Sequence, residues 1–257
     1  MKTFKFFTLL SVFVSSSVAL ATIAGDPKVD TVLLPQQQFT LSTWNIHKEQ
    51  GPDFLQEFKD LLAQSDIVAV QEGLLTEATK NQWNNDYGFE WHFAAAWIDG
   101  GGPTGTAVMS RLHIDEAQAV ISKVTQPIAN TPKSTLISYY AIEGTADRLM
   151  VLSTHAINFT FMGPYRTQLN ELAAIIEQHP GPVVWTGDFN TWNGSRMDFL
   201  LELTAGLGLS LPVMENESRG QKLDHIFTRG VTVQSALVFD AWNTSDHKPL
   251  WIKARLN

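Results

Sequence analysis

Six short polar segments constrain the fold of this chain most, because each lies at the end of a predicted strand. Only Asp, Glu, Asn and His stand among their polar site candidates. In open α/β proteins, ligand sites gather where strands end, so six such segments predict one shared polar site. In chain order the segments are Thr43–Ile46, Val70–Gly73, Thr154–Asn158, Gly187–Asn190, Leu223–Phe227 and Ser245–His247.

The periodicity of the remaining sequence predicts about ten strands and four helices, with no internal repeat and no linker dividing the mature chain. An amphipathic pattern predicts the first helix over 51–64. Further helices are predicted over 76–83, 166–178 and about 197–205. This mixture indicates one α/β domain whose sheets are covered by helices.

Asp188 and Asn190 stand two residues apart, directly after the apolar run 182–185 and Gly187. In extended backbone, this spacing places both side chains on the same side. A carboxylate beside an amide suits a divalent metal or a polarised water. The alternative is an ordinary turn, in which Asp and Asn bond their own backbone. The presence of the other five polar segments favours the metal or water site over the ordinary turn.

The first residues resemble an export signal rather than part of the fold. Lys2 and Lys5 precede an apolar stretch over 6–20, and a small-x-small cleavage pattern follows at 19–21. We therefore predict a signal peptide over 1–21, with cleavage as late as 24, and a mature domain over 22–257 that is periplasmic or extracellular. An uncleaved anchor or a buried first helix is the alternative. No later segment is long enough for a membrane span.

Composition excludes several classes of site. The chain has no cysteine, so it has no disulfide, no thiolate metal site and no nucleophilic thiol. Its formal net charge is −8 at pH 7, and no basic run is present. Proteins that grip duplex nucleic acid usually carry a basic face that displaces counterions, which argues against tight, non-specific duplex binding. Nothing signals an oligomer, so we expect a monomer.

The order of the motifs WN, QE, THxxN, GDFN, LDHIF and SDH resembles the endonuclease/exonuclease/phosphatase superfamily over about 39–255. That superfamily includes pancreatic-type DNases, abasic-site endonucleases, bacterial sphingomyelinases, inositol polyphosphate 5-phosphatases and the nuclease subunit of cytolethal distending toxin. A seventh stretch, 105–111, is similar to the family's glycine-to-Ser-Arg strand. The spacing is closest to an uncharacterised bacterial, exported branch. The resemblance implies a DNase I-like, four-layer α/β sandwich of two packed mixed β-sheets flanked by helices.

The resemblance also implies a metal-dependent phosphoric ester hydrolase. Phosphodiester hydrolysis needs charge neutralised on the phosphate, a positioned water and help for the leaving oxygen. Hard oxygen ligands suit Mg²⁺ or Mn²⁺. By resemblance, Glu72 is the principal metal ligand, with Asn45 and Asp246 close to the ion.

The remaining roles follow from the same resemblance. Asp188 orients or deprotonates the attacking water, and Asn190 holds that water or a phosphate oxygen. His155 and His247 contact the scissile phosphate as hydrogen-bond donors or in proton transfer. Asp224 bonds His247 and favours its charged form. The substrate-binding candidates are Asn158 and Arg111.

Other histidines and the rim residues carry weaker signals. We expect a structural role for His225 and a surface position for His47, which has no partner pattern. The aromatic residues Phe159, Phe161 and Trp192 follow the motifs closely. They could stack unpaired bases, rest in a lipid interface or simply pack.

Three functions stay open. The favoured one is an exported nuclease-like phosphodiesterase acting on nucleic acid. The alternative is a phosphoesterase acting on phospholipid headgroups or inositol phosphates. A catalytically inactive binding module is the third, and the complete set of acid, amide and imidazole residues disfavours it.

Overall fold

The structure is a computed structural model that describes residues 22–25, 29–85, 87–127 and 129–257. The signal peptide over 1–21 lies outside these ranges and stays a prediction. Within them, no helix has the length and apolar character needed to cross a membrane.

The described residues form twelve strands and four α-helices, with a 3₁₀ turn at His47–Glu49. The helices are α1 (Phe54–Ala63), α2 (Glu77–Asn85), α3 (Met162–Glu177) and α4 (Gly194–Gly206). The strands are β1 (Thr22–Ala24), β2 (Gln38–Asn45), β3 (Ile67–Leu74), β4 (Glu90–Asp99), β5 (Gly102–Ser110), β6 (Glu116–Thr125), β7 (Pro132–Ala141), β8 (Arg148–His155), β9 (Val183–Asp188), β10 (Asp224–Arg229), β11 (Val231–Val238) and β12 (Leu250–Leu256).

The strands form two mixed sheets. The larger has the order β1-β4-β5-β3-β2-β12-β11, and the smaller has the order β10-β9-β8-β7-β6. Each sheet contains one parallel pair, β2 with β3 and β8 with β9, joined through α1 and α3 respectively. Antiparallel neighbours complete both sheets.

Three apolar clusters hold the layers together. The first lies between the sheets, where Leu41 and Val108 of one sheet meet Val151 and Val184 of the other. The second packs α1 and α2 on the larger sheet, and the third packs α3 and α4 on the smaller one. Burial on both faces explains why the central strands read as continuous apolar runs. The predicted four-layer sandwich is confirmed.

The structure changes some predicted boundaries. The first helix begins at Phe54 rather than at residue 51, because Asp53 is left-handed with φ 62°. The third begins at Met162, four residues before the predicted start. Strand β6 was not predicted, since it lies at the edge of its sheet and its side chains are mostly half-buried or exposed.

Candidate active site

The site forms where the carboxyl ends of the two parallel pairs meet. Asn45 ends β2, and Glu72 lies near the end of β3 in the larger sheet. His155 ends β8, and it stands directly opposite Asp188 of β9 in the smaller sheet. Because strands β2 and β3 pack against β8 and β9, four of the predicted segments converge at one edge.

Three polar pairs cross from one sheet to the other. Asn45 Nδ2 donates to Asp188 Oδ2 at 3.1 Å. Glu72 Oε1 lies 3.7 Å from His155 Nε2. The third pair joins His247, which precedes β12, to Asp224 at the start of β10, with 2.8 Å between Nδ1 and Oδ2. In each pair, one member lies in the smaller sheet and the other lies in the larger sheet or, for His247, in the loop that leads into it.

Asp188 is the most heavily bonded acid of the site. Besides the Asn45 amide, it accepts hydrogen bonds from the backbone N–H of Asn190 at 2.9 Å and from Asn190 Nδ2 at 3.3 Å. Burial raises the pKa of the Asp188 carboxyl to about 7, although the positive charge of His247 opposes this rise. A carboxyl with that pKa suits proton transfer near neutral pH.

The GDFN segment is both a turn and part of the site. Asp188 accepts from the backbone two residues on, as an Asx turn does, and Asn190 has a left-handed φ of 52°. Asn190 Nδ2 also donates to Ala156 O at 3.0 Å, which fixes the turn against the end of β8. The two interpretations left open by the sequence are therefore compatible.

His247 and His155 have opposite electrostatic environments. Burial disfavours the charged form of His247, but the Asp224 carboxylate outweighs it and raises the pKa of His247 to about 10. Burial lowers the pKa of His155 well below its usual value, and the charges of Lys133 and His247 lower it further. At neutral pH the site thus holds one imidazolium and one neutral imidazole.

A cavity of about 660 Å³ opens at this edge, and it is lined by Glu72 of β3 and by Asp246 of the loop before β12. Glu72 has a left-handed φ of 55° at an irregularity in the β3–β5 pairing, which re-aims its side chain. Asp246 is exposed, and its carboxylate lies 3.6 Å from His47 Nδ1. Glu72, Asp246 and Asp188 line the same cavity, and their carboxylate oxygens are the ligand type that hard divalent cations prefer.

Two details refine the predicted metal residues. Asn45 is buried and does not reach the cavity; its amide holds Asp188, and its Oδ1 accepts from the backbone of His47 at 3.1 Å. Within the described ranges, the one set of His and carboxylate ligand atoms that all lie within 4.8 Å is Asp188, Asp224 and His247. We interpret that set as a hydrogen-bonded chain, because Asp224 already engages Nδ1 of His247.

Arg111 does not line this cavity, so the structure offers no support for the expected phosphate contact. Thr104 and Gly105 of β5 line the cavity, and Arg111 follows the opposite end of that strand. Six residues of extended chain separate it from Gly105 by about 20 Å. Its guanidinium instead contacts Leu62 O at 3.4 Å and the Phe89 ring at 4.4 Å.

Asn158 does line the cavity. Its Oδ1 accepts from Phe159 N at 2.8 Å and from Trp192 Nε1 at 3.0 Å. Two N–H donors identify that atom as the oxygen, so Nδ2 is left as a donor. An amide donor at this position is consistent with the predicted contact to a substrate oxygen.

Sequence reasoning missed three cationic or ionisable residues of the cavity wall: His47, Lys48 and Lys133. Lys48 is paired with Asp99 at 2.6 Å. Burial lowers the pKa of Lys133, and the charges of Glu72 and Asp188 oppose that effect. The antiparallel pairing of β7 with β8 could have indicated Lys133, because it places the start of β7 beside the end of β8.

Residues 42–247 match the Endonuclease/Exonuclease/phosphatase family. This chain belongs to that family. Family members are phosphoester hydrolases, and they generally use divalent metals. The resemblance drawn from the motif order is therefore confirmed.

Bacterial relatives within the family cover most of the chain. A UPF0294 protein of Vibrio parahaemolyticus is 30% identical over 226 residues, which cover 86% of this chain and 79% of the relative. A UPF0294 protein of Photorhabdus laumondii is 31% identical over 217 residues, which cover 80% of each chain. These relatives agree with the bacterial branch expected from motif spacing.

Solved structures show the same fold. Humanized TDP2 of D. rerio has a TM-score of 0.64 and 18% identity, covering 84% of this chain and 98% of its own. D. rerio TDP2 complexed with single-strand DNA product has a TM-score of 0.59 and 17% identity, and the match covers 85% of this chain and 99% of that one. ANGEL2, a 2′,3′-cyclic phosphatase in complex with adenosine-2′,3′-vanadate, has a TM-score of 0.63 and 17% identity. The match covers 90% of this chain and 99% of that one.

His225 supports this family site from beneath, and its burial makes stability depend on pH. Its Nε2 lies 2.8 Å from Thr191 Oγ1, and its ring contacts Phe189 and Phe227. Burial lowers the pKa of His225 from 6.5 to about 4. The unfolded chain takes up this proton first, so the stabilisation is complete above pH 6.5 and is lost as the pH falls through 4.

We expect His225 alone to remove about 3 kcal/mol from the free energy of unfolding between pH 7 and pH 4. The variant His225→Gln cannot titrate, so its stability should decrease less over the same range. Urea unfolding in EDTA at four pH values measures both proteins. Equal pH slopes for wild type and variant would contradict the assignment.

Proposed function

We propose that this protein is a divalent-metal-dependent phosphodiesterase of nuclease type. The observation that carries the proposal is the convergence of two histidines on the Asp188 carboxylate at one cavity, where His155 Nε2 lies 3.4 Å and His247 Nε2 lies 4.0 Å from Asp188 Oδ2. Such a site offers a proton acceptor and a proton donor at the same pH. Phosphodiester hydrolysis uses both.

Asp188 acts on the attacking water, and Asn190 positions Asp188. The Asp188 carboxylate accepts the proton of that water, and the amide of Asn45 fixes the orientation of Oδ2 through its 3.1 Å hydrogen bond. Asn190 holds the turn that presents Asp188. Orientation by bonded neighbours reduces the entropy lost on reaching the transition state.

His247 acts on the phosphate and the leaving oxygen. Its Nδ1–H donates to Asp224, so Nε2–H remains for the substrate. The charged imidazole can hydrogen-bond a phosphate oxygen and give its proton to the leaving group. Neutral His155 can contact a second phosphate oxygen without adding charge.

Glu72 and Asp246 would hold the metal at the cavity, where their oxygens suit Mg²⁺ or Mn²⁺. When bound, a divalent cation neutralises charge that develops on the phosphate. Lys133 contributes a further positive charge on the same wall. A wall with both signs of charge fits a metal and a phosphate together.

Nucleic acid is the favoured substrate class. Two proteins of similar fold were solved with a single-strand DNA product and with an adenosine vanadate, and both ligands are nucleotide-derived. The net charge of −8 disfavours a broad electrostatic grip on duplex DNA. We therefore expect a nucleic acid to be recognised by contacts inside the cavity rather than by a broad charged surface.

The test is an activity screen of purified protein over plasmid, single-stranded DNA, RNA and phospholipid vesicles, with Mg²⁺, Mn²⁺ or EDTA. We expect cleavage of nucleic acid with either metal, none in EDTA, and none by His247→Ala. Lack of DNA or RNA cleavage at every metal concentration would exclude the nuclease. Headgroup release from vesicles would point to the lipid alternative instead.

A further inference from the structure

Two aromatic side chains form part of the cavity wall beside the proposed catalytic groups. Phe159 is 76% exposed and Trp192 is 44% exposed, yet both line the cavity that contains His155 and Asp188. Single exposed apolar residues are ordinary on a protein surface. Two exposed rings beside the polar groups of one cavity require an explanation.

The loop that presents Phe159 is held in a strained conformation. Phe159 has φ 51°, a left-handed value that an aromatic residue rarely adopts. The Asn158 side chain accepts a hydrogen bond from the Phe159 backbone and another from the Trp192 indole. One amide thus positions both rings, and strain of this kind is typical of functional sites.

A buried arginine fixes the same loop from below. Arg196 is fully buried and donates to Ile157 O at 3.0 Å, to Asn190 O at 3.1 Å and to Thr160 O at 3.1 Å. Burying a guanidinium is costly unless it is bonded in this way. These bonds join the aromatic loop to the GDFN turn.

Arg196 also settles which part of Trp192 is available. Its guanidinium lies over the Trp192 ring at 4.9 Å and over the Tyr165 ring at 4.2 Å. One face of the indole is therefore covered, and its N–H is used by Asn158. The exposed fraction of Trp192 is a preorganised apolar surface at the cavity.

We propose that Phe159 and Trp192 form a stacking platform for one unpaired nucleobase attached to the scissile phosphate, which makes single-stranded nucleic acid the substrate class. This inference rests on the proposed function. Every base has a flat π face, so stacking tolerates sequence while excluding bases already stacked in a duplex. The cavity of about 660 Å³ lies within the usual range for small-ligand sites.

A lipid interface fits these observations less well. A membrane-binding surface places several apolar residues on an outward face. Phe159 and Trp192 instead share their cavity with Lys48, Lys133 and His47. Phe161, in the same loop and 87% exposed, does not line the cavity. A membrane would use Phe159 and Phe161 alike, whereas a base in the cavity would use Phe159 and Trp192.

The experiment compares fluorescently labelled oligothymidylate with an abasic tetrahydrofuran polymer of equal length. Binding to the full chain is measured by anisotropy in Ca²⁺, and hydrolysis is measured in Mg²⁺. We expect Phe159→Ala and Trp192→Ala each to weaken oligothymidylate binding about fivefold to a hundredfold. Binding of the abasic polymer should change less than about twofold. Trp192→Phe, which keeps a ring, should retain part of the affinity.

Phe161→Ala is the matched control, and it should bind both polymers as wild type does. Equal losses on the two polymers, unchanged binding in both alanine variants, or no binding by wild type would overturn the platform. Weaker binding of Phe159→Ala and Phe161→Ala to phosphatidylcholine vesicles, with unchanged oligothymidylate binding, would replace it with a lipid surface. Ring-dependent binding without any hydrolysis would support the platform and contradict the proposed catalysis.

Discussion

Replacing Asp188 with asparagine is expected to lower the kcat of phosphodiester cleavage by about 10²-fold to 10⁴-fold. The substitution keeps the size of the side chain but replaces the carboxylate, which accepts a proton from water, with a neutral amide. Asn45 and Asn190 both donate N–H groups to Oδ2, so an amide nitrogen at that position would face two donors. Single-turnover cleavage of a labelled oligonucleotide in Mg²⁺ measures the loss.

Asp198→Asn provides the matched control for this variant. Asp198 is exposed on α4, ten residues along the chain, and it does not line the cavity. Its substitution should leave kcat within about twofold of wild type, as is usual for surface changes. Circular dichroism establishes that both variants are folded. Cleavage by Asp188→Asn within tenfold of wild type would remove Asp188 from the role of base.

Replacing Gly187 with alanine is expected to destabilise the fold by about 3 kcal/mol or more, and the variant is expected to be largely insoluble on expression. Gly187 has φ 136°, which an L side chain rarely adopts, and an added Cβ would lie 1.9 Å from Thr154 O. The obstacle is backbone of the adjacent strand β8, so no side-chain rotation relieves it. Chemical denaturation of any soluble fraction measures the change.

Gly194→Ala tests whether the effect belongs to the position rather than to glycine loss in general. Gly194 begins α4, and an added Cβ there meets no atom within 4 Å. Alanine is the better helix former, so stability should stay equal or rise by up to about 1 kcal/mol. If Gly187→Ala unfolds at the same denaturant concentration as Gly194→Ala, then the close approach of β8 and β9 is not required.

The sequence was sufficient for the fold and for most of the residues that meet at the site. Motif order identified the four-layer sandwich, and His155, Asp188, Asn190 and His247 do converge, with Asp224 bonded to His247 as expected. These residues converge because Asn45, His155 and Asp188 end strands β2, β8 and β9, while Asp224 begins β10 and His247 precedes β12 at the same edge. Their catalytic roles stay predictions.

Prediction from the sequence was insufficient for side chains whose position relative to the cavity depends on strand register or on residues distant in the chain. Arg111 matched a family pattern, but its distance from the cavity depends on which end of β5 reaches the site. Lys133 belongs to no motif, and its partners lie far away in the chain. The left-handed backbone of Glu72 results from an irregular strand pairing that no local pattern encodes.

The three pairs that join the two sheets have a consequence for assembly of the enzyme. Asn45–Asp188 and Glu72–His155 join the two sheets directly, and His247–Asp224 joins the loop before β12 to the smaller sheet, so the complete site needs residues from both halves of the sandwich. A molecule bound between those pairs would contact both halves of the sandwich. Its binding would therefore raise the free energy of unfolding, and the same side chains would serve both ligand binding and the packing of one sheet on the other.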